Sequence, residues 1–290
     1  MQQIYYCNQM SGGVMPQGAR CRQRYCVMLA ATALLWLLTG GVDAASGATP
    51  DRVEARFEIY GFAGLHVLTN RTAVERLGDR YTIATDLDTR GLARVFVDLT
   101  SHSQVSGRLG SEPRPEAYRA DVRRNGAERH YAIDFRPDGT VIDEAAPTPF
   151  QQASLGRANE MRGAVDQLTA YFLMENQLAA RGTCTLVVPV FDGSALYDLR
   201  STDVKRETLT ADEHQNFVGS SRLCEVMREN LAGNSDRNDD TYQRARIWYA
   251  PLIPGEMTPV RMEFTTAFGV VTAYLAELRG HGIDLHLLRD

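Results

Sequence analysis

Residues 78–92 read GDRYTIATDLDTRGL, and this stretch shows the pattern that decides the fold. Tyr81, Ile83, Thr85 and Leu87 recur at every second position, so in an extended chain they share one face. A Gly-Asp turn signal precedes the run. Strict alternation of this kind is typical of antiparallel strands with one packed face and one wetter face.

The same alternation recurs along most of the chain. It is seen at Phe57 and Ile59, at Tyr118, Ala120 and Val122, at Tyr131, Ile133 and Phe135, and at Val260, Met262, Phe264 and Thr266. Turn signals separate such runs at residues 77–79, 125–126, 137–139 and 192–193, where glycine or asparagine can adopt positive φ. We therefore predict a mainly β protein of about a dozen strands, connected as a meander. Such a sheet is expected to be large, curved and antiparallel, in the form of a half-barrel or a spiral-like meander.

One segment has helical rather than strand periodicity. In residues 165–180 (VDQLTAYFLMENQLAA), apolar residues and Glu175 recur at the spacing of one helix face. Asp166 is a plausible N-cap and Gly182 a plausible C-terminal stop. The segment predicts one α-helix that covers the sheet through Leu168, Phe172 and Leu178.

The first 44 residues are predicted to be a cleavable signal peptide. Three arginines at positions 20, 22 and 24 precede a short apolar run at 26–38, and small residues stand at 42 and 44. The alternative is a membrane anchor, but the run is well short of the roughly 20 residues that span a bilayer. We expect cleavage after Ala44, a single β-rich domain over residues 45–290 and a periplasmic location. The membrane is then involved only through the signal peptide before cleavage.

Cleavage would leave two cysteines, Cys184 and Cys224, out of the five in the full chain. Two cysteines in an oxidising compartment are most simply a disulfide. A metal site or a redox pair is the alternative, although the chain has no C-x-x-C motif. Cys184 is expected to begin a strand over residues 184–191, and Cys224 to lie in another strand.

Composition and motifs argue against several kinds of function. A formal charge of −5 with a pI near 5.7 disfavours nucleic-acid binding. The sequence contains no nucleophile elbow, phosphate-binding loop, zinc-protease helix or dinucleotide fingerprint, so we assign no catalytic, cofactor-binding or metal-binding residue. Asp192 and Asp198 are the pair that an unrecognised hydrolase would use, although turn formation is a sufficient explanation for Asp192.

Several stretches together resemble the exported proteobacterial family known as domain of unknown function 3108. They include residues 55–68 (ARFEIYGFAGLHVL), 190–199 (VFDGSALYDL) and 259–269 (PVRMEFTTAFG). The resemblance covers residues 53–278 and implies a periplasmic β-rich protein, with no catalytic residue to carry over.

These observations favour a non-catalytic protein of the cell envelope. We expect its curved sheet to bind a hydrophobic ligand such as a lipid, or another envelope component such as a protein or glycan. One alternative is a structural or assembly partner that uses exposed sheet edges. The other is the hydrolase considered above.

Overall fold

The computed structural model describes residues 50–61, 64–95, 97–139, 141–143, 162–193, 195–232, 244–266 and 269–289. The predicted signal peptide at residues 1–44 lies outside these ranges. Within them, most residues belong to the strands of one antiparallel sheet, as the alternation predicted.

The sheet has fourteen strands in the described ranges. They are β1 (Asp51–Tyr60), β2 (His66–Leu77), β3 (Arg80–Thr89), β4 (Leu99–Arg108), β5 (Arg114–Arg124), β6 (Ala127–Phe135), β7 (Val141–Asp143), β8 (Leu186–Phe191), β9 (Leu196–Leu209), β10 (Gly219–Ala232), β11 (Arg244–Ala250), β12 (Thr258–Thr266), β13 (Gly269–Gly280) and β14 (Ile283–His286). A 3-10 helix spans Gly91–Val95. The α-helix of the described ranges, α1, spans Gln167–Arg181.

Two meanders make up this sheet. Strands β1 to β7 pair in sequence order, as do β8 to β13, and β1 pairs with β13 to join the two halves. The predicted turns at residues 77–79, 125–126, 137–139 and 192–193 lie between consecutive strands. Asn125 and Gly126 both have positive φ, which explains the Asn-Gly choice between β5 and β6.

The sheet curls because side chains from its two ends pack together. Ile133 and Phe135 of β6 and Val141 of β7 form one buried cluster with Phe191 of β8 and Leu196 of β9. Near this contact between the two ends of the sheet, a Cβ atom at Gly193 would come within 2.5 Å of the Tyr131 ring. Gly193 also has a φ of +85°. Only glycine therefore fits where the ends approach each other.

Helix α1 lies on the concave side of this curled sheet. Phe172 packs with Tyr81, Ile83 and Val105 of β3 and β4. Met174 and Leu178 pack instead in the cluster formed with strands β8 to β11. The predicted helix is confirmed, but it is enclosed by strands from both halves rather than laid over one surface.

A disulfide bond joins Cys184 and Cys224, whose Cα atoms are 6.3 Å apart. The expected strand start at Cys184 is wrong, since β8 begins at Leu186. Cys224 lies in β10, with β9 between it and β8. Cys184 lies two residues before β8, and both cysteines are fully buried.

A second layer covers part of the convex side. Gln215 is buried, and its side-chain amide donates hydrogen bonds to the carbonyl oxygens of Val260 and Leu275 at 2.8 and 3.0 Å. Phe217 packs in the same cluster as Trp248. Trp248 follows the cavity-lining Ile247 in β11, so this contact covers an apolar side chain on the outward face of the sheet.

Candidate functional site

A cavity of about 590 Å³ lies on the concave side of the sheet, next to α1. Its walls come from β1 to β5 of one half and β11 to β13 of the other, and its floor comes from the helix. The pairing of β1 with β13 therefore places the cavity at the junction of the two meanders.

Most of the cavity wall is apolar. The apolar side chains are Val53, Ala55, Phe57, Ile59, Leu68, Val74, Ile83, Leu87, Ile247, Met257, Pro259, Met262, Phe264, Val271, Ala273 and Leu278. Six of them belong to the alternating sets that sequence periodicity assigned to packed strand faces, namely Phe57, Ile59, Ile83, Leu87, Met262 and Phe264. A volume of this size and a lining of this kind are typical of small-molecule sites, which range from about 300 to 1,000 Å³.

The helix presents one face to the cavity. Gln167, Tyr171 and Glu175 are spaced four residues apart, and Leu168 and Phe172 lie beside them. Since residues four apart share a face, a rotation of α1 would remove all five from the cavity together. The orientation of α1 therefore sets the shape of the floor.

Hydrogen bonds at the start of α1 hold that orientation. The Asp166 carboxylate caps the helix, accepting from the Thr169 backbone N–H at 3.0 Å and from its hydroxyl at 2.6 Å. Thr169 in turn lies 2.8 Å from the Tyr81 hydroxyl on β3. Burial raises the pKa of Asp166 to about 6, although the hydrogen bonds from Thr169 act to lower it. At the other end, Gly182 adopts the left-handed conformation, and its N–H donates to the Leu178 carbonyl, so both predicted caps are confirmed.

Charged side chains gather at the end of the cavity where β1 begins and β2 ends. Arg76, from β2, forms a 2.8 Å ion pair with Glu256 of the loop between β11 and β12. Its guanidinium also lies 5.4 Å from the centre of the Phe172 ring. Further out, His281 lies 3.1 Å from Asp51 and 3.7 Å from Glu256. The ion pair ties the 251–257 loop across this end of the cavity.

Glu175 is a polar side chain of this end that has no hydrogen-bond or ion-pair partner among the described residues. It lines the cavity, yet its carboxyl group makes no hydrogen bond or ion pair with any described residue. Burial raises its pKa to about 8, the nearby Glu256 carboxylate adds to the rise, and Arg76 opposes it. The side chain is therefore mostly a neutral carboxylic acid at pH 7, able both to donate and to accept a hydrogen bond.

Several other polar groups in the cavity are already paired. The Asn70 side-chain amide donates to the Thr85 hydroxyl at 2.9 Å, and the Thr72 hydroxyl donates to the Asn70 oxygen at 2.9 Å. These neighbours on β2 and β3 satisfy one another across the ladder. The Glu175 carboxyl group, by contrast, has no such hydrogen-bond partner among the described residues.

The outer face carries a different depression, of about 410 Å³. Its charged side chains pair with each other, for example Arg56 with Glu277 at 2.7 Å and Arg52 with Glu54 at 2.6 Å. Exposed ion pairs of this kind contribute little and leave few unmet polar groups for a ligand. The concave cavity is therefore the stronger candidate site.

The pair considered for hydrolysis is not brought together. Asp192 lies 3.5 Å from Arg228, whose guanidinium stacks 3.9 Å above the Tyr197 ring on the concave side. Asp198 follows Tyr197 directly in β9, so its side chain points to the opposite face of the sheet. The two carboxylates therefore do not converge on one cleft.

The edges of the sheet are short or covered. Strand β7 has three residues. On the outer edge of β8, the Val165 N–H donates to the Pro189 carbonyl and the Phe191 N–H donates to the Val165 carbonyl, both at 2.9 Å. Both features reduce the edge available to a partner strand.

The described ranges contain no group of three or more His, Cys, Asp or Glu side chains placed to hold a metal ion. None of their helices combines the length and the apolar character that a membrane span requires.

Sequence reasoning placed Glu175 on the helix but did not recognise it as a site residue. The signal was present, since Glu175 interrupts an apolar stripe that includes Leu168, Phe172 and Leu178. A carboxyl group in such a stripe must be exposed, paired or functional. Periodicity alone does not separate these cases, because the partners would come from distant strands.

Comparison with known proteins adds a family and a structural likeness. The sequence model of the family described as "Protein of unknown function (DUF3108)" matches residues 56–276, which run from β1 into β13. Among curated proteins, none matches the sequence. The chain is similar to a solved structure titled "Crystal Structure of Beta-barrel-like Protein of Domain of Unknown Function DUF1849 from Brucella abortus". The identity is 11%, the TM-score is 0.46, and the match covers 80% of this chain and 99% of that chain.

Proposed function

This chain belongs to the protein family of unknown function DUF3108, and from that premise we propose that it binds a hydrophobic ligand in its concave cavity. The role is non-catalytic, and the ligand is a lipid or another apolar component of the cell envelope. The observation that carries the proposal is the cavity of about 590 Å³ with a predominantly apolar wall.

Burial in this cavity supplies the free energy of binding. Each methylene group removed from water contributes about 0.8 kcal/mol, so an alkyl chain gains affinity with every carbon that fits. Part of that gain is offset by the lost freedom of the ligand. Because the wall is built on strands, little rearrangement is needed to form the site.

We further propose that the protein works in the periplasm after removal of residues 1–44. The disulfide between Cys184 and Cys224 is consistent with an oxidising compartment. A cavity for apolar molecules also suits the envelope, where such molecules must pass through water between membranes.

The test combines a bound-ligand analysis with a blocked cavity. Protein purified from the periplasm is denatured and extracted with organic solvent, and mass spectrometry identifies any co-purified lipid. Binding of the uncharged fluorescent probe N-phenyl-1-naphthylamine is then titrated in the wild type, in Thr85→Trp and in Ala84→Trp. Thr85 lines the cavity, whereas Ala84 is its neighbour on the opposite face of β3.

We expect Thr85→Trp to weaken probe binding at least tenfold and Ala84→Trp to leave it unchanged. An extract without lipid, together with a probe that binds neither the wild type nor the control, would refute the proposal. Equal weakening by both variants would also count against it, because the effect would not depend on the cavity.

A further inference from the structure

We infer that Glu175 is the polar anchor of the ligand site and that the ligand is a single-chain amphiphile with an uncharged, hydroxyl-bearing head group. A glycerol monoester represents this class. The inference rests on the proposed function, because it assigns the head group of a ligand whose chain fills the apolar cavity.

The missing partner of Glu175 is the first observation. A polar group that is partly shielded from water loses part of its hydration, and a hydrogen-bond partner compensates for that loss. The carboxyl group of Glu175 faces the cavity and has no such partner among the described residues. A ligand in the cavity can supply it.

Several neighbouring polar side chains are paired with one another, whereas Glu175 is not. Asn70, Thr72 and Thr85 form hydrogen bonds with one another, and the Arg76 guanidinium is bound to Glu256. The Glu175 carboxyl group on the floor therefore keeps its hydrogen-bonding capacity available to a ligand.

Charge at this end disfavours an anionic head group. Glu256 from the 251–257 loop faces Glu175 and Arg76, while Asp51 and His281 lie further out. Arg76, the arginine among the described residues that line the cavity, already has two carboxylates within 4 Å, Glu256 at 2.8 Å and Asp51 at 3.9 Å. A fatty-acid carboxylate would meet these negative charges, and the arginine beside them is already paired.

The state of Glu175 selects an uncharged head group over a cationic one. Burial raises its pKa to about 8, so near neutral pH it offers one O–H donor and one carbonyl acceptor. A hydroxyl group next to an ester matches both, since it accepts one hydrogen bond and donates another. A cation would instead require the carboxyl to ionise in an apolar setting.

The experiment measures three probes with the same chain length by calorimetry, each below its critical micelle concentration. They are 1-monomyristoylglycerol, myristate and tetradecylamine, and N-phenyl-1-naphthylamine serves as a probe that needs no anchor. The variants are Glu175→Leu, Glu175→Gln and the control Glu112→Gln, which changes an exposed carboxylate in the turn between β4 and β5.

At pH 7 we expect the wild type to bind the monoester most tightly. Glu175→Leu should weaken monoester binding at least tenfold more than it weakens naphthylamine binding, whereas Glu175→Gln and Glu112→Gln should keep monoester binding within about threefold of the wild type. Between pH 7 and pH 9 the wild-type affinity should fall about tenfold as Glu175 ionises, and that of Glu175→Gln should stay constant.

Different failures have different meanings. Naphthylamine binding with no effect of Glu175→Leu on the monoester would overturn the anchor and leave the proposed function standing. Myristate or tetradecylamine as the tightest ligand would overturn the head-group assignment. Should Glu175→Leu not fold, a constant wild-type affinity from pH 7 to pH 9 overturns the anchor by itself. Absence of binding by all four probes would refute the proposed function as well.

Discussion

Glu175→Gln should have a higher free energy of unfolding than the wild type in the absence of ligand, and this difference should grow as the pH rises toward neutrality. The pKa of Glu175 is raised from 4.5 to about 8 by burial and by Glu256. A raised carboxyl pKa means that the folded state holds a proton that the unfolded state has released. The contribution of the Glu175 proton to the free energy of unfolding is therefore fully present below pH 4.5, and it is lost as the pH rises toward 8.

The size of the effect follows from the two pKa values. The wild type loses about 1 kcal/mol at pH 5 and about 3 kcal/mol at pH 7 relative to a side chain that does not titrate. Glutamine keeps the shape and cannot ionise, so the difference between variant and wild type should grow by about 2 kcal/mol over this range. The pKa of Asp166 is also raised, to about 6, but Asp166 is present in both proteins and its contribution cancels in the difference.

Urea unfolding of ligand-free protein at pH 5, 6 and 7 measures this difference directly. Glu112→Gln is the control, and its free energy of unfolding should run parallel to that of the wild type. If the Glu175→Gln curve also runs parallel to the wild type, then Glu175 is ionised in the folded protein and the argument for a neutral anchor is wrong.

Three other predictions concern the framework of the site. Replacing Cys184 and Cys224 by alanine should lower the free energy of unfolding by about 4 kcal/mol, from the entropy of a loop closed over 40 residues; urea unfolding that matches the wild type would contradict this. Tyr81→Phe should cost about 1 kcal/mol, because Thr169 loses one hydrogen bond but keeps its bond to Asp166; an unchanged unfolding midpoint would show that the bond does not hold the helix. Mass spectrometry of protein from the periplasm should find an N-terminus after residue 44, whereas an intact N-terminus in the membrane fraction would refute export with cleavage.

Local features of the fold could be predicted because each depends on neighbouring residues. Alternation at Tyr81, Ile83, Thr85 and Leu87 identified a strand face, and Asn125-Gly126 identified a turn, since both follow from backbone geometry. The helix caps at Asp166 and Gly182 were predictable for the same reason. The register and closure of the sheet depend on contacts between distant residues, and periodicity carries no information on them.

The candidate site was less predictable than the fold. Part of its wall, such as Phe57, Ile83 and Met262, was assigned to packed strand faces, but a packed face can be filled by core side chains or can enclose a cavity. What decides between these outcomes is the position of α1, which contacts β3 on one side and the strands around Cys224 on the other. The same placement puts Glu175 in the cavity wall. It also keeps the Glu175 carboxyl group apart from Asn70 and Thr85, which are hydrogen-bonded to each other.

The pairing of β1 with β13 has a consequence for the kinetics of folding. The first and last long strands of the described sheet lie side by side, so that Glu54 pairs with Arg279. Such pairing has a very high contact order, and closing so long a loop is slow because its entropy must be lost before the contacts form. The N-terminal meander therefore keeps an open edge at β1 until residues near position 280 have been synthesised and have folded. During that interval β1, with its apolar Val53, Phe57 and Ile59, is the segment most exposed to aggregation and most in need of a chaperone.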